Sequence, residues 1–310
     1  MHQTDDFSPI PGRPETLSPG VRRILCDNPS AFTYRGTNTY LVGRGKGIAV
    51  IDPGPMDVAH QDAILAALAP GEEITHIFVT HAHADHSPLA RLLSKVTGAP
   101  VLAFGDVTAG QSEVMRDLAA QGGLGGGEGA DPDFRPGQIL ADGDVVTGDG
   151  WRMQAIWTPG HLCNHLSFDL AFGDDPYGTV FCGDHVMGWS TSIVSPPEGD
   201  LTQFMRSCEV LLDRPAQVYH PGHGAPIQDP HARLRWLVAH RKSREAGILS
   251  ALEDGPGDAT GLALRVYTDT PAQLLPAAAR NVFAHLIDLT SKNMVSHDGR
   301  LTFDSVFSRV

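Results

Sequence analysis

The stretch Ile77-Phe-Val-Thr-His81-Ala-His83-Ala-Asp85-His86 decides how this 310-residue chain is read. An apolar run ends at Thr80, and three imidazoles and one carboxylate follow within six residues, where side chains converge on the rim of a sheet. Alternate residues of an extended tip point the same way, so His81 and His83 can reach one cation. If the chain then turns into a helix at Asp85 and His86, those two face a second position nearby. Histidines packed this closely beside an acid would repel one another on protonation, which argues for a metal site over a solvated turn.

One segment supplies four ligands at most, and two ions need more. Three further candidates each follow an expected strand: His161 in Trp157-Thr-Pro-Gly-His161, Asp184 in Val180-Phe-Cys-Gly-Asp184-His185, and His223 in Tyr219-His-Pro-Gly-His223-Gly. The glycines permit backbone angles that aim a side chain into a crevice. Taken singly each is a weak signal; in this order behind the first cluster they form a pattern.

Around these residues, short apolar runs alternate with turn signals and helical stretches. Residues 39–43, 47–52, 74–80, 100–104, 151–157, 165–170, 178–184 and 216–220 read as strands, and 57–69, 85–97 and 201–213 as helices. Strands interleaved with helices predict an α/β layered fold. The apolar fraction of 41% supports a sizeable core, while 34 glycines and 23 prolines point to many tight connections. The proline-rich residues 1–20 read as a leader without the apolar core of a secretory signal, and residues 122–137, GGLGGGEGADPDFRPG, as a mobile loop. No stretch approaches the roughly 18 apolar residues of a membrane span. Cys26, Cys163, Cys182 and Cys208 are scattered without a CxxC pair, as expected of buried thiols in a cytoplasmic protein.

The net charge of −13 argues against nonspecific attachment to nucleic acid or anionic membrane over the whole surface. Near residue 230 the character changes. Ten Lys and Arg stand against eight Asp and Glu from there onward, so the acid excess lies in residues 1–229. Helices are expected at 231–252, 259–268 and 271–292, with a hairpin around Asp298-Gly299, which together suggest a winged-helix-like domain over 230–310.

The order HxHxDH, TPGH, GD and PGHG resembles the metallo-beta-lactamase fold superfamily of hydrolases, and the resemblance extends to Ile51-Asp52-Pro-Gly54. It implies a four-layer αββα sandwich with two divalent metal ions at one edge. His81, His83 and His161 would bind the first, Asp85, His86 and His223 the second, and Asp184 both, while Asp52 would orient a ligand imidazole. The family-level metal is zinc, and a thiolate-free donor set also accepts iron or manganese. Departures sort the chemistries. Beta-lactamases commonly carry a cysteine in the second site and no bridging Asp, and flavin-linked diiron oxidoreductases place a glutamate where His83 stands. The segment Arg35-Gly-Thr-Asn-Thr-Tyr-Leu-Val42 and the pair His161 and His165 are similar to the beta-lactamase-like protein 2 and glyoxalase II-like branch, whose members have a winged-helix-like tail. One characterised type in that branch is an endoribonuclease on single-stranded RNA.

The expected reaction is attack by a metal-bridging hydroxide on a small carbonyl ester, lactone or thioester, with Asp85 taking up the proton. Trp189 and Ser192, in a stretch without Lys or Arg after Asp184, are the candidate substrate contacts. Phosphodiester cleavage is the alternative, because Arg233, Arg235, Arg241, Lys242 and Arg244 share one expected helix, although a solvated helix face is the more common outcome for such a run. Two further alternatives are a mononuclear iron persulfide dioxygenase using His81, His161 and Asp184, and a nonenzymatic nucleic-acid binder acting through the tail.

Overall fold

A computed structural model of the chain describes residues 6–122, 124, 129–268, 271 and 274–310. The first sheet contains β1 (Glu15–Ser18), β2 (Val21–Leu25), β3 (Asn38–Val42), β4 (Gly47–Ile51), β5 (Glu73–Phe78), β6 (Val101–Ala103) and β7 (Gln138–Ile139), adjacent in that order. Pairing is antiparallel from β1 to β4 and parallel from β4 to β7. The parallel steps require crossovers. Helix α1 (Val58–Ala66) supplies the first and α2 (Pro88–Thr97) the second, with α3 (Glu113–Gln121) in the third. The second sheet is ordered β12-β11-β10-β9-β8, from β8 (Val145–Thr147), β9 (Trp151–Trp157), β10 (Leu166–Phe172), β11 (Thr179–Gly183) and β12 (Val218–Pro221). Helix α4 (Leu201–Leu212) crosses between its two parallel members, β11 and β12.

The two-residue period of the strands builds the layers. Tyr40, Val42, Ile51 and Phe78 pack against Trp151, Phe168, Leu170 and Phe181 between the sheets. Their neighbours Leu41, Val50 and Ile77 point the other way, onto Leu89 and Leu93 of α2. On the far side, Val180, Cys182 and Tyr219 meet Leu201, Phe204 and Leu211 of α4. Helix, sheet, sheet and helix therefore stack as the four expected layers.

The tail holds α5 (Pro230–Glu253), α6 (Ala259–Val266), α7 (Leu275–Ser291) and an antiparallel pair, β13 (Val295–His297) with β14 (Phe307–Arg309). Asp298-Gly299 opens the connection between that pair. The long α5 serves both cores: Leu234 and Leu237 pack with α4, whereas Ile248, Ala251 and Leu252 pack with α6 and α7. Met115 and Leu118 of α3 join the tail core. All four cysteines are buried free thiols. Among the described residues, no helix is long and apolar enough to cross a membrane.

Three expectations need correction. Residues 15–18 of the leader form the edge strand β1. The helix expected from residue 85 begins at Pro88, whose ring fits the first helical turn, and Asp85 and His86 lie in the turn before it. Of the glycine-rich stretch 122–137, residues 123 and 125–128 lie outside the described residues, but its later part is pinned. The Ala84 amide donates to the Gly129 carbonyl at 2.7 Å, the Asp131 amide to the Ala82 carbonyl at 2.8 Å, and Phe134 is buried in the core beneath α2.

Gly160 sets the close approach of the His161 turn to α4. Its φ is +143°, and a Cβ there would stand 2.3 Å from the Phe204 Cα. Gly160→Ala is expected to cost about 1–3 kcal/mol, through left-handed strain and this clash. A lowered urea midpoint at unchanged slope would register it; an unchanged midpoint would show that the turn tolerates a side chain.

Candidate metal centre

Four turns at one rim of the sandwich carry the predicted ligands. The turn between β5 and α2 brings His81, His83, Asp85 and His86; the β9–β10 turn brings His161; Asp184 follows β11, and His223 follows β12. They gather into two groups, His81 with His83 and His161, and Asp85 with His86, Asp184 and His223, each with its ligand atoms within 4.8 Å of one another. In the first group, His83 Nδ1 lies 2.9 Å from His81 Nε2 and 3.0 Å from His161 Nε2. In the second, His223 Nε2 lies 3.1 Å from Asp85 Oδ2 and 3.2 Å from Asp184 Oδ2, and 3.3 Å from His86 Nε2. Asp184 Oδ2 is also 3.7 Å from His161 Nε2, so this carboxylate touches both groups. Gly222 makes room for it, since a Cβ there would stand 2.2 Å from Asp184 Oδ1.

The outward-facing nitrogens reveal what the inward ones offer. His161 Nδ1 donates to the Ile193 carbonyl at 2.7 Å, and His223 Nδ1 to the Gly36 carbonyl at 3.1 Å. His86 Nδ1 donates to Asp52 Oδ2 at 3.0 Å. Thr80 Oγ1 donates to Asp52 Oδ2 at 2.8 Å and so accepts from His81 Nδ1 at 2.9 Å. Four imidazoles thus hold a proton on Nδ1, and when neutral they turn the Nε2 lone pair inward. His83 reverses this, with Nδ1 inward and a buried Nε2 that has no partner among the described residues. One proton on His83 Nδ1 can satisfy only one of its two close nitrogen neighbours. Inward nitrogens and carboxylate oxygens converging at this spacing, with the nitrogens bare when the rings are neutral, fit divalent cations.

Electrostatics divide the groups. Burial lowers His81, His83 and His161, with His83 held at about 3; repulsion from neighbouring imidazoles, His86 among them, adds to the effect, and Asp184 works against it. Burial also opposes charge on His86 and His223, yet the facing Asp85 and Asp184 prevail; they raise His86 well above its usual range and His223 to about 10. Burial would raise the two carboxylates, but His86 and His223 hold both far below the ordinary range. The first group is a neutral nitrogen set and the second a carboxylate-rich one.

Asp52 stands at φ 50° just after β4, with Oδ1 accepting the Thr80 amide at 2.7 Å, and it orients both the His86 ring and Thr80. Trp189 lies at the rim, stacked on Tyr34 with centroids 4.6 Å apart, beside Gly224. Ser192 is buried and donates its hydroxyl to the His185 carbonyl at 2.8 Å, which withdraws it from the substrate contact expected of it. Arg233 and Arg241 turn onto the carbonyls of Met187, Ser190 and Ser192, which corrects the solvated face expected for them. A cavity of about 450 Å³ between α4, α5 and α7 is lined by none of the candidate ligands.

Several supporting residues escaped the sequence reading. Asn38 Nδ2 donates to the carbonyls of Pro221 and Gly224, bracing the His223 turn. Asn164 accepts the Ala82 amide at 3.3 Å, and Asp131 accepts the Ser87 hydroxyl at 3.0 Å. For Asn38 and Gly36 the segment Arg35-Gly-Thr-Asn was a visible signal; for Asn164 and Asp131 no spacing pointed to the partner.

The metallo-beta-lactamase superfamily model matches residues 33–223, and the beta-lactamase associated winged helix domain model matches residues 261–304. The chain is 34% identical over 282 residues to the beta-lactamase-like protein 2 homolog of Drosophila melanogaster, covering 88% of each. It is 30% identical over 251 residues to the atrochrysone carboxyl ACP thioesterase of Claviceps purpurea, covering 81% of this chain and 70% of that one. A beta-lactamase domain protein from Burkholderia ambifaria superposes with a TM-score of 0.78 at 21% identity, over 98% of this chain and 96% of the other, and so shares the fold. With the HxHxDH turn, the two ligand groups and the tail all in place, the chain belongs to the metallo-beta-lactamase superfamily of hydrolases, with an associated winged-helix domain.

Proposed function

We propose that the chain is a dinuclear metal-dependent hydrolase of a small carbonyl ester, lactone or thioester, with thioesters the foremost class. The observation that carries this reading is Asp184, which stands within 3.7 Å of His161 and 3.2 Å of His223 and so spans both ligand groups. His81, His83 and His161 would hold one cation, and Asp85, His86 and His223 the other, with Asp184 shared. Zinc suits the set, and iron or manganese also fit donors without thiolate. Bound there, a pair of divalent cations lowers the pKa of water and polarises the electrophile's oxygen.

The chain's own residues supply the rest. Asp85 has its side chain 24% exposed, against 8% or less for His86, His161, Asp184 and His223, so it faces the mouth and is placed to take up the proton of the attacking water. The stacked Tyr34 and Trp189 offer an apolar wall beside His223 for an acyl group. The thioester preference is supported by the relative named as an ACP thioesterase. Phosphodiester cleavage loses support because Arg233 and Arg241 are engaged by loop carbonyls. We read residues 1–229 as the catalytic domain and 230–310 as the accessory one, and the four free cysteines fit a cytoplasmic setting.

Elemental analysis of the purified protein is expected to find about two divalent ions per chain. Dialysis against a chelator should abolish turnover of a p-nitrophenyl ester and of an acyl thioester, and readdition of zinc should restore it. One iron per chain with oxygen uptake would instead support the persulfide dioxygenase, and faster turnover of bis-p-nitrophenyl phosphate or single-stranded RNA would support the phosphodiesterase. His83→Ala should lower kcat/KM by more than about 100-fold, beyond what loss of an outer support costs. Unchanged turnover in that variant would remove His83 from the site.

A further inference from the structure

Residues 187–198, between β11 and α4, run past the metal centre without helix or strand, so their backbone carbonyls lack ladder partners. Guanidiniums from the tail supply the donors. Arg233 Nε reaches the Met187 carbonyl at 2.7 Å, and its Nη2 the Ser190 carbonyl at 2.6 Å. Arg241 Nη2 donates to the Ser192 carbonyl, while its Nη1 is held by Asn281 Oδ1 of α7 at 3.1 Å. From α7, Arg280 Nε donates to Ser195 Oγ at 2.5 Å and Nη2 to the Pro196 carbonyl at 3.1 Å.

Arg241 has the most direct line to the chemistry. It is 4% exposed, with its guanidinium 5.2 Å from the centre of the Phe204 ring, so it is locked in place. The residue it grips, Ser192, is tied through its hydroxyl to the carbonyl of His185, the neighbour of Asp184. The next residue, Ile193, provides the carbonyl that accepts from His161 Nδ1. Arg241 therefore fixes the peptide adjoining the one whose carbonyl sets the tautomer and direction of His161, and braces the strand end bearing Asp184. Arg280 pins the loop three residues further on. Resting on the metal-site reading above, we propose that Arg241, with Arg280 in support, is a positioning residue of the metal centre. The tail from residue 230 thus acts as a clamp on the catalytic loop, with Arg233 and Arg241 from α5 and Arg280 from α7 each holding part of it.

The test measures zinc affinity of the full chain by competition with a chromophoric chelator. Wild type is compared with Arg241→Lys, which keeps the charge but loses the planar fork, and with Arg280→Ala. Arg265→Ala is the control, since Arg265 donates to the Ala251, Gly255 and Pro256 carbonyls within the tail. Arg241→Lys is expected to loosen one of the two zinc ions by about 10–100-fold, and Arg280→Ala by about 10-fold, while Arg265→Ala leaves both ions at wild-type affinity. In Arg241→Lys, kcat should fall further than KM rises. Wild-type zinc affinity in a folded Arg241→Lys overturns the clamp, and should that variant not fold, wild-type affinity in Arg280→Ala overturns it. Absence of zinc binding by the wild type would sink the metal reading itself, a result distinct from unchanged variants on a zinc-binding wild type.

Discussion

Five imidazoles and two carboxylates crowded at one rim of a sandwich, nearly all out of water, are a costly arrangement for a protein to hold. Their inward nitrogens and oxygens repel unless a positive charge lies among them. Much of the surrounding structure serves to keep them there. Carbonyls of Gly36 and Ile193, the carboxylate of Asp52 and the hydroxyl of Thr80 each take the outward proton of one ring and fix which nitrogen is bare. The layered fold contributes the rigid ends from which the four turns project, and small residues such as Gly160 and Gly222 let them approach.

The rim is asymmetric in a way that suits hydrolysis. Burial disfavours charge on the all-histidine group, while the group with two carboxylates reaches solvent through Asp85. One carboxylate, Asp184, spans both. Beside it the aromatic stack of Tyr34 on Trp189 lines the rim, with the Arg35 guanidinium 5.3 Å from the Tyr34 ring centre.

The tail takes on a different meaning from the one its composition suggested. A run of cations on one helix looks like a phosphate-binding face when only the order of residues is known. In space, Arg233 and Arg241 point back at an irregular loop whose carbonyls would otherwise be buried without donors. Helix α5 belongs to two cores at once, so the tail is packed on the catalytic layers rather than tethered beside them.

The amino-acid order by itself determined most of the strands and helices that frame the site and the seven candidate ligands, because these are written in local periodicity or in short motifs at strand ends; the αββα layering was implied by the resemblance those motifs carry, and β2, β7, β8 and α3 went unread. It placed the start of α2 too early, since the turn at Asp85 and His86 is stabilised by contacts from Gly129 and Asp131, over forty residues away. It assigned Ser192 to substrate and left Arg233 and Arg241 between a phosphate-binding and a solvated face, since a hydroxyl or guanidinium carries no mark of which distant carbonyl it will meet. Tertiary structure alone decided those pairings, as it decided the bare nitrogen of each imidazole, because a hydrogen-bond partner is chosen by proximity in space and not by separation along the chain.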